Sequence, residues 1–353
     1  MRISRRVVAL TLLVTLLAAA CADPAPSVPP GSPATSPAAS SAPLSGTLTV
    51  YSGRSKTLVE PLIERFRAAT GLKVAVEYAG TSELAATILE EGDRSPADVF
   101  FAQDGGALGA IAAAGRFAKL PDALLERVEA RFRSTDGLWV GVSGRARVVA
   151  YDSRVLTPAD LPTSILGFAD PQWKGRIGWA PTNASFQAFV TGFRILKGDA
   201  AAKAWLEGIQ ANEPKAYEGN DAVLAAIAAG EVEVGFVNHY YALRQAAEQG
   251  ETYPVFNWFM SGGDVGALIN VAGAGILKTA PNPDAARAFV DFLLSDESQH
   301  YFAEETFEYP LVAGVPADPR VVPLAEIDAP DIDLSQLADL SATLRLIQEA
   351  GVL

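Results

Sequence analysis

The stretch GFVNHYYALR, residues 235–244, sets two of the chain's nine tyrosines side by side, Tyr240 and Tyr241. An apolar run precedes them, so they stand where a strand should be ending. Within a strand, neighbouring side chains point to opposite faces. In a turn beyond the strand end, both phenols could converge on one cleft. The other arrangement these residues allow puts one ring in the core and one on the surface.

A second candidate lies in PTNAS, where Asn183, Ala184 and Ser185 open a helical stretch. A helix N-terminus offers unpaired N–H groups to an anion. Asn238, beside the tyrosines, and Asn220, opening another helical stretch, could join such a site or serve as caps. Ser52 and Gly53, in the turn after the first strand, and Gln103, at the end of the third, complete the candidate ligand contacts. His239 reads as a hydrogen-bonded or solvent-facing ring pointing away from the tyrosines, and His300 as a surface residue. These are the chain's only histidines, and without a matching Ser or Cys nucleophile they make no hydrolytic triad. The glycines of GDAAAKAW and SGGDVGA fit no nucleotide-binding loop. A hydrolase would have to use Asp104 with Gln103, and it lacks a second catalytic group. Tyr51 could line the cleft, while Tyr151 and Tyr309 read as structural.

The elements that must carry these residues alternate. GTLTVYSGR is a strand broken at Gly53, and Leu58, Leu62, Ile63 and Phe66 then recur at helical spacing up to Gly71. LKVAVEYAG, SELAATILEEG, ADVFFAQ and GALGAIAAAG continue as strand, helix, strand, helix. This is the grammar of a parallel sheet covered by helices. A second unit follows, with a strand and helix over GRIGWAPTNASFQAFVTGFRILKG and a helix, strand and tyrosine pair over NDAVLAAIAAGEVEVGFVNHYY. NPDAARAFVDFLLSDESQHYFAEE is strongly helical, and the tail carries one more helix. Two β-type crossings, near 138–151 and 266–276, join the units. Open α/β sheets bind ligands beyond the carboxyl ends of their strands. The turns after Val50, Phe101, Trp179 and Val237 would therefore face one cleft.

The chain has 353 residues and a formal charge of −13. It shows no basic cluster beyond its start, which disfavours nucleic acid as a partner. MRISRR followed by VVALTLLVTLLAAA and Cys21 has the order of a secretory signal ending at a lipid-attachment cysteine. Cys21 is the only cysteine, so neither an intramolecular disulfide nor a cysteine zinc site is possible. Residues 22–46 are rich in Pro, Ala and Ser and cannot bury enough surface to fold; they read as a tether. The expected organisation is a signal at 1–21, a tether at 22–46, a first α/β lobe at 47–142 with 272–320, a second at 143–271, and a helical tail at 321–353.

The stretches VYSGR, ADVFFAQD, SGRARVVAYD, WKGRIGWAPTNASFQAF, AIAAGEVEVGFVNHYY, GALINVAGAGILKTAPNPDAARAFVDFLLSDESQ and EYP together resemble the bacterial ferric-binding family of ABC-importer substrate-binding proteins. The resemblance spans nearly all of the chain after the tether. It implies an α/β, two-lobed periplasmic-binding-protein fold of the class II type with two β-strand hinge crossings, and no catalysed reaction. It implies that Tyr240 and Tyr241 supply phenolate ligands to Fe(III). Ferric iron is a hard cation that prefers anionic oxygen, and a bound cation favours the deprotonated phenol. A carbonate, phosphate or citrate anion would complete the coordination, held by Asn183, Ala184, Ser185, Asn238 and Asn220. The implied partners are an ABC permease and its ATPase, on separate chains, with a monomer tethered to the outer face of the cell membrane through Cys21. The chain departs from the family pattern at three places: where many members carry a histidine it has Ser55 and Lys56, where some use a carboxylate it has Gln103, and near where one subgroup has a third tyrosine it has Phe186. The alternative keeps the scaffold and replaces iron with an organic anion or a phosphonate, with Asn183 and Ser185 as main contacts.

Overall fold

The computed structural model describes residues 44–250 and 252–353; the signal stretch, Cys21 and nearly all of the tether lie outside the described residues. The first half opens with β1 (Thr47–Ser52), α1 (Lys56–Thr70), β2 (Lys73–Tyr78), α2 (Thr81–Glu91), β3 (Val99–Ala102) and α3 (Gly105–Ala113). Helix α1 buries Leu58, Val59, Leu62, Ile63 and Phe66 along one stripe and stops at Gly71, whose φ of 70° is the left-handed value glycine adopts without strain. β1 pairs in parallel with both β2 and β3, so the turns after β1 and β3 lie side by side.

After the one-turn α4 (Asp122–Leu125) comes the long β4 (Val140–Asp152), every residue of which is buried. The second half contributes β5 (Ile177–Trp179), α5 (Ala184–Lys197), α6 (Asp199–Ala211), β6 (Lys215–Ala216), α7 (Asn220–Ala228), β7 (Val234–Asn238), α8 (His239–Gln249) and β8 (Val255–Trp258). The chain then returns through β9 (Ile269–Ile276), α9 (Pro283–Leu293), α10 (Asp296–Glu304) and β10 (Tyr309–Pro310), and ends with α11 (Leu340–Glu349). The strands form one continuous order, β2-β1-β3-β9-β4-β7-β5-β6, with β8 and β10 also on β4.

β4 is the shared member. Its residues 140–146 pair with β9, and Arg147–Tyr151 pair with β7. The partner change between Ala146 and Arg147 marks where the chain leaves one half-sheet for the other. The helical stretch expected over 282–305 divides in two, because Ser295 caps a new helix by accepting from the Ser298 N–H.

Candidate metal centre

Tyr240 and Tyr241 occupy the first turn of α8, directly after the last residue of β7. Sequence reading placed them in a turn; helical geometry nonetheless brings the rings together, stacked at 4.3 Å with 26° between planes. Tyr240 is fully buried, and its Oη has no hydrogen-bond partner among the described residues. Tyr241 is half-buried.

Tyr240 belongs to the hydrophobic core, and charged side chains also lie close enough to act on its phenol. Burial pushes its phenol well above the ordinary value, helped by Tyr241 and Glu308, while Arg54 and Arg145 act in the opposite direction. Arg54 is buried and donates from Nη2 to Glu308 Oε2 at 2.6 Å. Burial alone would lower its pKa, but Glu308 and the two tyrosines more than offset that. Arg145 is 1% exposed. One of its Nη groups donates to the Gln103 carbonyl, while Nε and the other Nη have no partner among the described residues. Burial pulls Arg145 down, and pulls Arg147 to about 9 with Arg145 adding to the effect. Arg147 donates to Asn238 Oδ1 at 3.1 Å and to the Phe236 carbonyl at 2.8 Å. The sum is a desolvated patch with more cationic than anionic side chains, next to two phenols, which favours negative charge arriving.

The sequence-predicted residues divide between this patch and its supports. The Ser52 hydroxyl is buried and bonds the Arg54 backbone, donating to its carbonyl at 3.2 Å. Gly53 lies against Thr81, whose hydroxyl donates to the Gly53 carbonyl at 3.1 Å, and a side chain there would collide with Thr81. Gln103 contributes its carbonyl to Arg145. Ser52 and Gln103 thus shape the arginines through backbone and hydroxyl contacts, while Gly53 makes room for Thr81. Asn183 caps α5, its Oδ1 accepting from the Ser185 N–H at 3.0 Å and the Ser185 hydroxyl at 2.6 Å. Asn220 Nδ2 reaches Ser185 Oγ at 3.4 Å, so Asn183, Ala184, Ser185 and Asn220 form one polar cluster. It stands at the carboxyl end of β5, which runs parallel to and beside β7. Asn238 Nδ2 is buried without a partner among the described residues.

Other positions are structural. His239 is buried and hydrogen-bonded, and burial takes it down to about 3, so the ring is neutral. His300 is exposed beside Glu304. Tyr51 does not line the site: its hydroxyl donates to Glu91 at 2.9 Å. Asp104 caps α3 through the Ala107 N–H. Phe186 is core, edge-on to Trp179 at 5.6 Å. Among the described residues, no cluster of three His, Cys, Asp or Glu side chains could hold a metal.

Sequence reading did not single out Arg54, Arg145, Arg147 and Glu308. One signal was available: two arginines at i and i+2 inside an apolar β run share one face of the strand.

A family described as bacterial extracellular solute-binding protein matches residues 94–336. The chain belongs to that family. The Fe(3+)-binding periplasmic protein of Serratia marcescens is 35% identical over 87% of this chain and 90% of its own length. The major ferric iron-binding protein of Neisseria meningitidis is 37% identical over 88% and 94%. Iron-bound HitA of Pseudomonas aeruginosa superposes with a TM-score of 0.83 at 36% identity, covering 86% of this chain and 99% of HitA. The Trichodesmium protein IdiA (FutA), solved with iron and citrate, gives 0.76 at 31% over 87% and 100%. This solute-binding protein thus has the two-lobed α/β fold of periplasmic binding proteins, as its sequence implied, and its family transports solutes rather than catalysing reactions. No helix among its described residues is long and apolar enough to cross a membrane.

Proposed function

We propose that this protein captures ferric iron between its lobes, through Tyr240 and Tyr241, together with a small anion, and presents it to an ABC permease. The stacked phenol pair at the start of α8, facing Arg54 and Arg145, carries the reading. Phenolates suit a hard trivalent cation. Two buried arginines would repel a bare Fe(III), so a carbonate, phosphate or citrate oxygen bridges metal and guanidinium. Arg145, whose Nε and one Nη have no partner among the described residues, is the strongest donor for it, and the Asn183–Ser185 cluster with Asn220 and Asn238 supplies more. The half bearing β7 and α8 takes iron first, and the half bearing β1 and β3 closes over it by bending at β4 and ahead of β9. The closed form is the one the permease selects. The chain works as a monomer held at the outer face of the membrane by lipid on Cys21.

The cationic patch also favours a second reading, in which an organic anion or phosphonate occupies the cleft without metal. Colour separates the two. Titration with ferric citrate should give a visible tyrosinate-to-iron absorption band, weakened in both Tyr240→Phe and Tyr241→Phe. A protein that stays colourless at saturation, while an organic anion raises its melting temperature, would establish the second reading instead.

A further inference from the structure

His239 sits where three site-bearing segments meet. Its Nδ1 accepts the Ala146 N–H at 3.2 Å, and its Nε2 lies 2.9 Å from the Phe307 carbonyl. Accepting at Nδ1 leaves the proton on Nε2, so the ring donates to Phe307. The Ala146 N–H needs such a partner. On that side of β4, β10 pairs at Ser143 and Gly144 and β7 pairs from Arg147 onward. Ala146 falls in the gap between them, and the imidazole fills it. The ring also stacks on Tyr309 at 4.6 Å and meets Tyr240 edge-on at 5.9 Å. The Asn257 amide secures the same residue from behind, donating to the His239 carbonyl at 2.7 Å.

Each end of this strut leads to a group of the site. Ala146 lies between Arg145 and Arg147. Phe307 precedes Glu308, the carboxylate that holds Arg54. Phe307 has a φ of 57°, a left-handed backbone that a bulky side chain keeps only when its surroundings impose it. The His239 bond to its carbonyl is one such constraint, and the Glu308 N–H bond to the Phe302 carbonyl at 2.9 Å is another.

We propose that His239 is a positioning residue, which fixes the tyrosine turn of α8 against both the arginine strand and the Glu308 segment without touching the ligand. The proposal rests on the iron reading for its consequence and goes beyond it in assigning the role. His239→Gln and His239→Asn separate the two bonds, because Gln reaches the Nε2 position and Asn the Nδ1 position. With His239→Ala, ferric affinity measured by citrate competition should fall on the order of tenfold, as loss of an outer partner commonly does, and the tyrosinate band should shift. His239→Gln, keeping the bond to Phe307, should recover most of both. In the iron-free protein, amide exchange at Ala146 and around 307–308 should accelerate in His239→Ala. Wild-type band and affinity in all three variants, with only the melting temperature lowered, would overturn the proposal. A colourless wild type would refute the iron reading by itself; equal amide exchange in wild type and His239→Ala would then overturn the strut independently.

Discussion

Arg54 and Glu308 lie 254 positions apart and meet with side chains 1% and 0% exposed. A buried pair adds little over an apolar pair, but breaking it leaves an uncompensated charge. Glu308→Gln should therefore cost about 3–5 kcal/mol in urea unfolding, and Arg54→Met with Glu308→Gln together should cost less than the sum of the single changes. Strict additivity would show that the two side chains do not act as a pair. This scale also shows the limit of reading residues in order. Tyr240 and Tyr241 were legible because two phenols adjoin at a strand end. Arg54 and Glu308 were not, because a charged residue in sequence reads as surface and its partner lies on a distant segment. Phe186, where the family resemblance leads one to expect a tyrosine, lies buried in the core. Its aromatic neighbours Trp179, Phe189 and Trp205 explain why it is apolar.

Element boundaries were legible wherever glycine or a cap punctuates the chain. Gly71 ends α1, Gly230 lies just beyond α7 with a φ of 74°, and Asn183 starts α5. What stayed hidden was the break at Ser295 inside an apolar helical stretch, since the periodicity continues through it. Asp104 illustrates a residue whose chemistry is absorbed by its element. Its carboxylate accepts the Ala107 N–H at 2.9 Å at the start of α3, and burial raises its pKa above the ordinary carboxylate range. Asn caps a helix as well as Asp and carries no charge to bury. Asp104→Asn should thus match or exceed the wild type in urea stability, whereas Asp104→Ala should lose about 1 kcal/mol. If Asn proved as damaging as Ala, the carboxylate would have to serve its neighbour Arg145 rather than the helix.

At the scale of the whole molecule, the closure proposed above asks two halves joined by few strands to bend without losing register. The β-grammar was visible in sequence, and so was the crossing at β4, because that strand is longer than one half-sheet needs. The role of the tail was not, since its contacts are long-range. The turn Leu334–Ala338 packs on the glycine face of α3, where a Cβ added at Gly109 would sit 2.6 Å from the Ser335 carbonyl oxygen. A few residues later α11 grips α5: Thr343 Oγ1 meets Thr191 Oγ1 at 2.7 Å, and Arg194 bonds Thr343 at 3.0 Å and the Asp339 carbonyl at 3.2 Å. The tail therefore spans from the half bearing α3 to the half bearing α5. The proposed closure would slide one of these contacts, and the bare glycine face is the smoother one. Gly109→Ala should push the Leu334–Ala338 turn away from α3 while leaving α11 on α5. The iron-free protein should then scatter X-rays with a larger radius of gyration and bind ferric citrate more weakly. Thr343→Val removes the other grip and should lower the melting temperature. An unchanged radius of gyration and unchanged binding in Gly109→Ala would mean that the tail rides with one half and takes no part in closure.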